Sequence, residues 1–71
     1  MNIAVFTTIA LTHEHILTIM SIPGMDADVQ ESYAPGWCGQ KTGMYMFRGN
    51  MTHEASLAIE ALNFVTGVCA A

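Results

Sequence analysis

A chain of 71 residues, 52 % apolar and only 11 % charged, is not a disordered one, because disorder requires low hydrophobicity and high charge. Six acids against two bases, Lys41 and Arg48, give a formal charge of −4. That argues against direct nucleic-acid binding, which needs a Lys/Arg stripe to neutralise phosphates, and equally against an anionic membrane surface. The length sets one small domain, residues 1–71, which buries only about 60 % of the surface its unfolded form exposes; small domains commonly compensate with disulfides, a metal or self-association.

In chain order, residues 2–11 open the chain with β-branched and aromatic side chains: Ile3, Val5, Phe6, Thr7, Thr8 and Ile9. These fit a pleated surface and lose rotamer freedom in a helix. The alternation puts Ile3, Val5, Thr7, Ile9 and Leu11 on one face and Asn2, Ala4, Phe6, Thr8 and Ala10 on the other. Both faces are fairly apolar, which implies a strand covered on both sides or half-covered by a partner chain.

Residues 15–22 (Ile16, Thr18, Ile19, Ile22) favour a second strand by composition. A short helix capped by Thr12 and stopped by Pro23-Gly24 competes with it. An internal echo favours the helix: Thr12-His13-Glu14 with Leu17 and Ile19 matches Thr52-His53-Glu54 with Leu57 and Ile59 at the same spacing. A true duplication would imply two βα units.

Residues 23–42 read as a long loop, marked by Pro23-Gly24 and Pro35-Gly36 and holding the acids Asp26, Asp28 and Glu31. Within it Asp26–Tyr33 suggests a turn or two of exposed helix, and Tyr33 and Trp37 are the side chains able to tie the loop down. A third strand follows over 43–48. The chain then enters a helix over 52–68, with Thr52 as N-cap and Glu54 at the positive end of the dipole. Its apolar positions form two stripes, one through Ala55, Ile59 and Leu62, the other through Leu57, Ala61 and Phe64. The expected fold class is therefore α+β: a small antiparallel sheet of about three strands (2–11, 15–22, 43–48) packed by one C-terminal helix.

The stretch Ile3–Ile22 is apolar but broken by His13, Glu14 and His15, leaving no segment of the ~20 residues that span a bilayer. No secretory signal is visible, so a cytoplasmic, reducing setting with Cys38 and Cys69 as free thiols is expected.

Chemistry-bearing patterns are incomplete. The segment Tyr33-Ala34-Pro35-Gly36-Trp37-Cys38-Gly39-Gln40-Lys41 resembles the active-site segment of the thioredoxin and protein disulfide isomerase family. Gly36 is inserted and the second cysteine is missing. The resemblance implies thiol chemistry at Cys38 on the N-terminus of a helix; the residues themselves describe a glycine-rich loop anchored by Trp37. His13 and His15 would share a face of a strand and offer two metal ligands, but a tetrahedral zinc site needs four. No nucleophile elbow, phosphate-binding glycine loop or calcium loop is present. No enzymatic activity, metal or cofactor is expected.

The expected function is that of a small acidic binding protein acting through protein–protein contacts. The contact residues are Leu57 and Phe64 on the second helical stripe and Asp26, Asp28, Glu31, Tyr33 and Trp37 in the loop. In size and acidity the chain is similar in kind to small phage-encoded viral inhibitors of host defence, including anti-CRISPR proteins, a likeness carried by no motif. Two alternatives stand beside it: a self-associating structural or ligand-holding homodimer, and a thiol or metal-binding protein using Cys38 and His13/His15. Six methionines, five of them between Met20 and Met51, add adaptable apolar surface.

Overall fold

The computed structural model describes residues 1–70. Strand β1 (Asn2–Thr7) leads to helix α1 (His13–Met20), strand β2 (Met25–Tyr33), a 3₁₀ turn (Trp37–Gly39), strand β3 (Gly43–Met51), helix α2 (His53–Glu60) and strand β4 (Val65–Ala70). The strands form one antiparallel sheet in the order β2-β3-β1-β4. This β-α-β-β-α-β order, with each half contributing one central and one edge strand, is the split βαβ or ferredoxin-like arrangement. The α+β class with an antiparallel sheet is as expected from the sequence; the number and bounds of the elements are not.

Residues 15–22 are not a strand but most of α1. Thr12 decides it. Its Oγ1 accepts the His15 N–H at 3.3 Å, and its own N–H donates to His15 Nδ1 at 3.0 Å. This is a capping box with histidine in the role usually taken by glutamate, and it outweighs the β-branched composition of the segment. On a helix, His13 and His15 no longer share a face, so the pair of ligands that a strand would offer to the alternative metal-binding reading is lost.

The expected loop 23–42 contains a nine-residue edge strand, β2, where one or two helical turns were expected over Asp26–Tyr33. Only Met25, Ala27 and, in part, Val29 turn toward the core, which is why the segment looks polar. The expected helix 52–68 is two elements. Thr52 does cap α2, accepting the Ala55 N–H at 3.1 Å. The helix ends at Glu60, the Ala61 N–H donating to the Leu57 carbonyl and the Leu62 N–H to the Ile59 carbonyl, and Leu62–Phe64 turn the chain into β4. The second apolar stripe is thus not a helix face at all.

The two halves repeat at a fixed offset of forty positions: His13 with His53, Met20 with Glu60, Met25 with Val65. Burial follows the same offset. Ile3, Val5 and Thr7 of β1 match Gly43, Tyr45 and Phe47 of β3, all buried, and Ile19 matches Ile59, both without accessible surface. In the β1–β3 register the equivalent residues Val5 and Tyr45 stand opposite one another, so the relating two-fold axis runs between them. The echo of Thr12-His13-Glu14 in Thr52-His53-Glu54 is the visible part of this repeat.

Both helices lie on one face of the sheet, over a core of Ile3, Val5, Ile19, Met25, Ala27, Tyr45, Phe47, Ala55, Ile59 and Val65. Polar groups drawn into it are paired: the Tyr45 hydroxyl accepts the Leu11 N–H at 2.7 Å, and buried Thr7 donates to the Ile9 carbonyl at 2.7 Å. The halves also meet at Gly24, where φ is +90° and a Cβ would overlap the Thr52 hydroxyl that caps α2; the Thr52 N–H donates to the Gly24 carbonyl at 3.0 Å. Among the described residues no helix is long and apolar enough to cross a membrane.

The repeat predicts matched energetics. Ile19→Ala and Ile59→Ala should each lower unfolding free energy by about 2–5 kcal/mol, and by similar amounts, in urea titrations followed by circular dichroism. A silent substitution at either site would contradict the equivalence.

Candidate functional site

Because both helices cover the same side, the opposite face of the sheet carries no second layer. In the antiparallel register, residues standing opposite share a face. The β1–β3 pairs Asn2–Arg48, Ala4–Met46 and Phe6–Met44 define the open side, and Cys69 and Gly67 of β4 extend it opposite Ala4 and Phe6. Ala4, Phe6, Met44 and Met46 are only partly buried, shielded by each other and not by another element. The whole molecule exposes 4301 Å², close to the ~4,300 Å² typical for a chain of this mass. Its apolar exposure is shared between this face, where Ala4, Phe6, Met44 and Met46 are half-buried, and single exposed side chains elsewhere such as Leu17 and Leu57 on the helices.

Strand β2 adds the polar part. Asp26 stands opposite Asn50 and Asp28 opposite Arg48. The register then shifts between Val29 and Glu31, leaving Gln30 unmatched, so that Glu31 faces Met46 and Tyr33 faces Met44. A one-residue slip in a strand moves every later side chain to the other face. Without this bulge Glu31 and Tyr33 would point toward the helices; with it they join Asp26 and Asp28 on the open face.

Past the end of β2 the chain folds into the 3₁₀ turn, closed by the Gly36 N–H on the Gln40 carbonyl at 2.6 Å and the Gln40 N–H on the Trp37 carbonyl at 3.0 Å. Trp37 packs on Tyr33 with ring centroids 4.7 Å apart at 55°, yet stays 52 % exposed. The Tyr33 hydroxyl donates to Glu31 Oε2. That hydrogen bond and the adjacent negative charge raise the phenol above its ordinary pKa, since ionisation would place two anions side by side.

Five of the seven contact residues expected from the sequence are thus brought together: Asp26, Asp28, Glu31 and Tyr33 along one strand face, with Trp37 over its end. The other two lie in the helical layer and apart from one another. Leu57 is on the outer surface of α2, 53 % exposed, as its equivalent Leu17 is on α1 at 46 %. Phe64, in the turn before β4, packs against the core and the His15 ring, centroids 4.7 Å apart. It is an internal contact between the halves. The residues that sequence reasoning did not assign to a site are Phe6, Met44 and Met46. Their signal was the apolar second face of residues 2–11, together with the methionines around the third strand.

The other expected chemistry has no matching geometry. The thioredoxin-like segment is a three-residue 3₁₀ turn between two strands, with Cys38 in a left-handed conformation at φ 51°, and not the start of a long helix. Cys38 and Cys69 are both free and exposed. Among the described residues no three His, Cys, Asp or Glu side chains gather closely enough to hold a metal ion.

Three expected outcomes test this layout. Leu57→Lys should change stability by less than about 0.5 kcal/mol, whereas Phe64→Asp should cost about 2 kcal/mol or more, both read from urea midpoints. Glu31→Gln should bring the Tyr33 phenol down toward its ordinary value in an ultraviolet pH titration; no movement would show that Glu31 is not its partner in solution. Comparison with protein-family models, with curated proteins and with solved structures found no match for this chain.

Proposed function

We propose that the protein is a non-enzymatic binding module that docks on a protein partner through the open face of its sheet. The observation that supports this is the half-buried apolar strip of Ala4, Phe6, Met44 and Met46, uncovered by any element and bordered by Asp26, Asp28 and Glu31. An apolar centre with a polar rim is the usual anatomy of a protein contact, and exposed aromatic side chains such as Trp37 commonly anchor one. Methionine adapts to the surface it meets. Three acids along one edge of the face suit a partner with basic residues on its rim. Both cysteines being unbridged and exposed suits a reducing, cytoplasmic setting. The narrower reading as a phage-type inhibitor of host defence gains no support from the fold.

A second reading, self-association, is favoured by a different feature. The edge strand β2 carries Asp26, Asp28 and Glu31 and a bulge, which are common guards against edge-to-edge pairing. The other edge, β4, has the sequence VTGVCA and no charge. Two copies pairing β4 to β4 about a two-fold would close the assembly and leave the guarded edges outside.

Met46→Lys should leave the fold intact, because the side chain is only half-buried on the uncovered face, and should abolish capture of a stoichiometric protein partner from a lysate of the producing cells. Capture equal to the unsubstituted protein would refute the open face as the docking surface. Light scattering at micromolar concentration separates the second reading. Twice the 7.7 kDa chain mass that reverts to one on Val68→Pro supports the β4 pair, and a monomer mass removes it.

A further inference from the structure

At the Phe6–Met44 end of the open face, the sheet and the segment entering β3 border a shallow, largely open depression of about 590 Å³. Its floor is Phe6, Met44 and Gly67, and its rim is Gln40, Lys41, Thr42 and Thr66. The size falls within the ~300–1,000 Å³ of small-molecule sites, and an apolar floor with a few polar groups is their usual construction.

The charge at this place is selective. The chain has six carboxylate side chains and two basic ones, yet the depression is lined by one of the bases, Lys41, and by no carboxylate. An anion finds a counter-charge and three neutral hydrogen-bonding side chains here, while a cation finds no carboxylate in the lining.

Gly67 is the second observation. A glycine inside a strand weakens it, so its presence needs a reason. It lies beside the β1–β4 register shift, where Phe6 pairs with Gly67 and Thr7 with Val65, but it does not have positive φ, so that irregularity does not use the left-handed backbone that glycine alone adopts readily. Packing does not demand it either: a Cβ there would meet nothing nearer than Phe6 Cδ2 at 4.0 Å. What the missing side chain does provide is the open volume over Phe6. Glycine in a strand is also a common mark of a place where another molecule approaches closely.

We propose that this depression binds a small amphipathic monoanion, an alkyl or aryl carboxylate, with its apolar body on Phe6, Met44 and the Gly67 backbone and its acid group at the Lys41 ammonium. The site shares Phe6 and Met44 with the strip described above, and Tyr33, which holds Glu31, stands opposite Met44; the inference does not rest on the protein-docking reading.

The test is a titration of the intact ¹⁵N-labelled protein with sodium octanoate, and in parallel with octyltrimethylammonium, read from amide chemical shifts. Octanoate should give saturable shifts confined to Phe6, residues 40–44 and Thr66–Gly67, and the cation should give none there. Gly67→Leu should fill the floor and abolish the octanoate shifts while leaving the remaining spectrum in place. Lys41→Gln, on the exposed rim, should weaken octanoate roughly threefold, as an exposed ion pair allows, and supplies the test should Gly67→Leu disturb the strand. Absence of saturable shifts up to about 10 mM octanoate, equal shifts with the cation, or unchanged affinity in Lys41→Gln together with Gly67→Leu would each overturn the proposal. None of these results bears on partner capture by the Met46→Lys variant, so the two readings fail separately.

Discussion

The antiparallel pairing of β1 with β3, centred where Val5 stands opposite Tyr45, is the constraint on which the rest of the molecule depends. Each half of the chain contributes one of these central strands and one edge strand, and every edge strand pairs with the central strand of the other half or its neighbour across the axis. Neither half owns an adjacent pair of strands. The buried residues around the axis come from both halves, and the ties between them are specific: Leu11 to the Tyr45 hydroxyl, Gly24 to the Thr52 cap, His15 to Phe64. A chain this short, which buries a modest share of its surface, thereby obtains one shared core where two separate ones would each be too small.

The same arrangement commits both helices to one side, since each crosses between parallel strands with the same hand. All the covering material is used there. The opposite side must present whatever the outward residues of four strands provide, and here that is a methionine and aromatic strip with carboxylates along β2, Arg48 opposite Asp28, and Lys41 beside the Phe6–Met44 end. The bulge at Gln30 gathers the carboxylates, by returning Glu31 and Tyr33 to the face already occupied by Asp26 and Asp28. The face is thus a product of topology and of one unpaired residue.

Much of this was legible in the residues, and the failures have physical causes. Thr52 capping a helix and the two-sided apolar character of residues 2–11 are readable directly, because caps and alternation are local signals, although the strand itself ends at Thr7. Residues 15–22 misled because three isoleucines and a threonine favour a strand by intrinsic preference, whereas the Thr12–His15 box and the docking of Ile19 into the core settle on a helix. The repeat at forty positions held that answer, but across most of its length it is a repeat of burial and not of residue identity: Ile3 matches Gly43 and Thr7 matches Phe47. Strand β2 was hidden because an edge strand with one uncovered face turns only Met25, Ala27 and Val29 inward. Residues 61–68 were read as helix because Leu62, Phe64, Val65 and Val68 satisfy a period of 3.6 about as well as a turn followed by a strand. The acids, Tyr33 and Trp37 stand out in the sequence by type, while the shared outward placement of Phe6, Met44 and Met46 depends on which side of the sheet the helices leave bare.

The strand order has a consequence for how the molecule is assembled. As the chain leaves the ribosome, β1 and β2 are made first, and in the finished sheet they never touch, because β3 lies between them. The first half can form its capped helix early, but it can form no native ladder until the strand after Gly43 has emerged. From then on β3 organises both earlier strands at once, joining β2 on one side and β1 on the other. Strands β1 and β2 therefore stay without a native ladder until Met44 to Phe47 arrive, and the sheet is complete only when β4 has joined β1 on its other side.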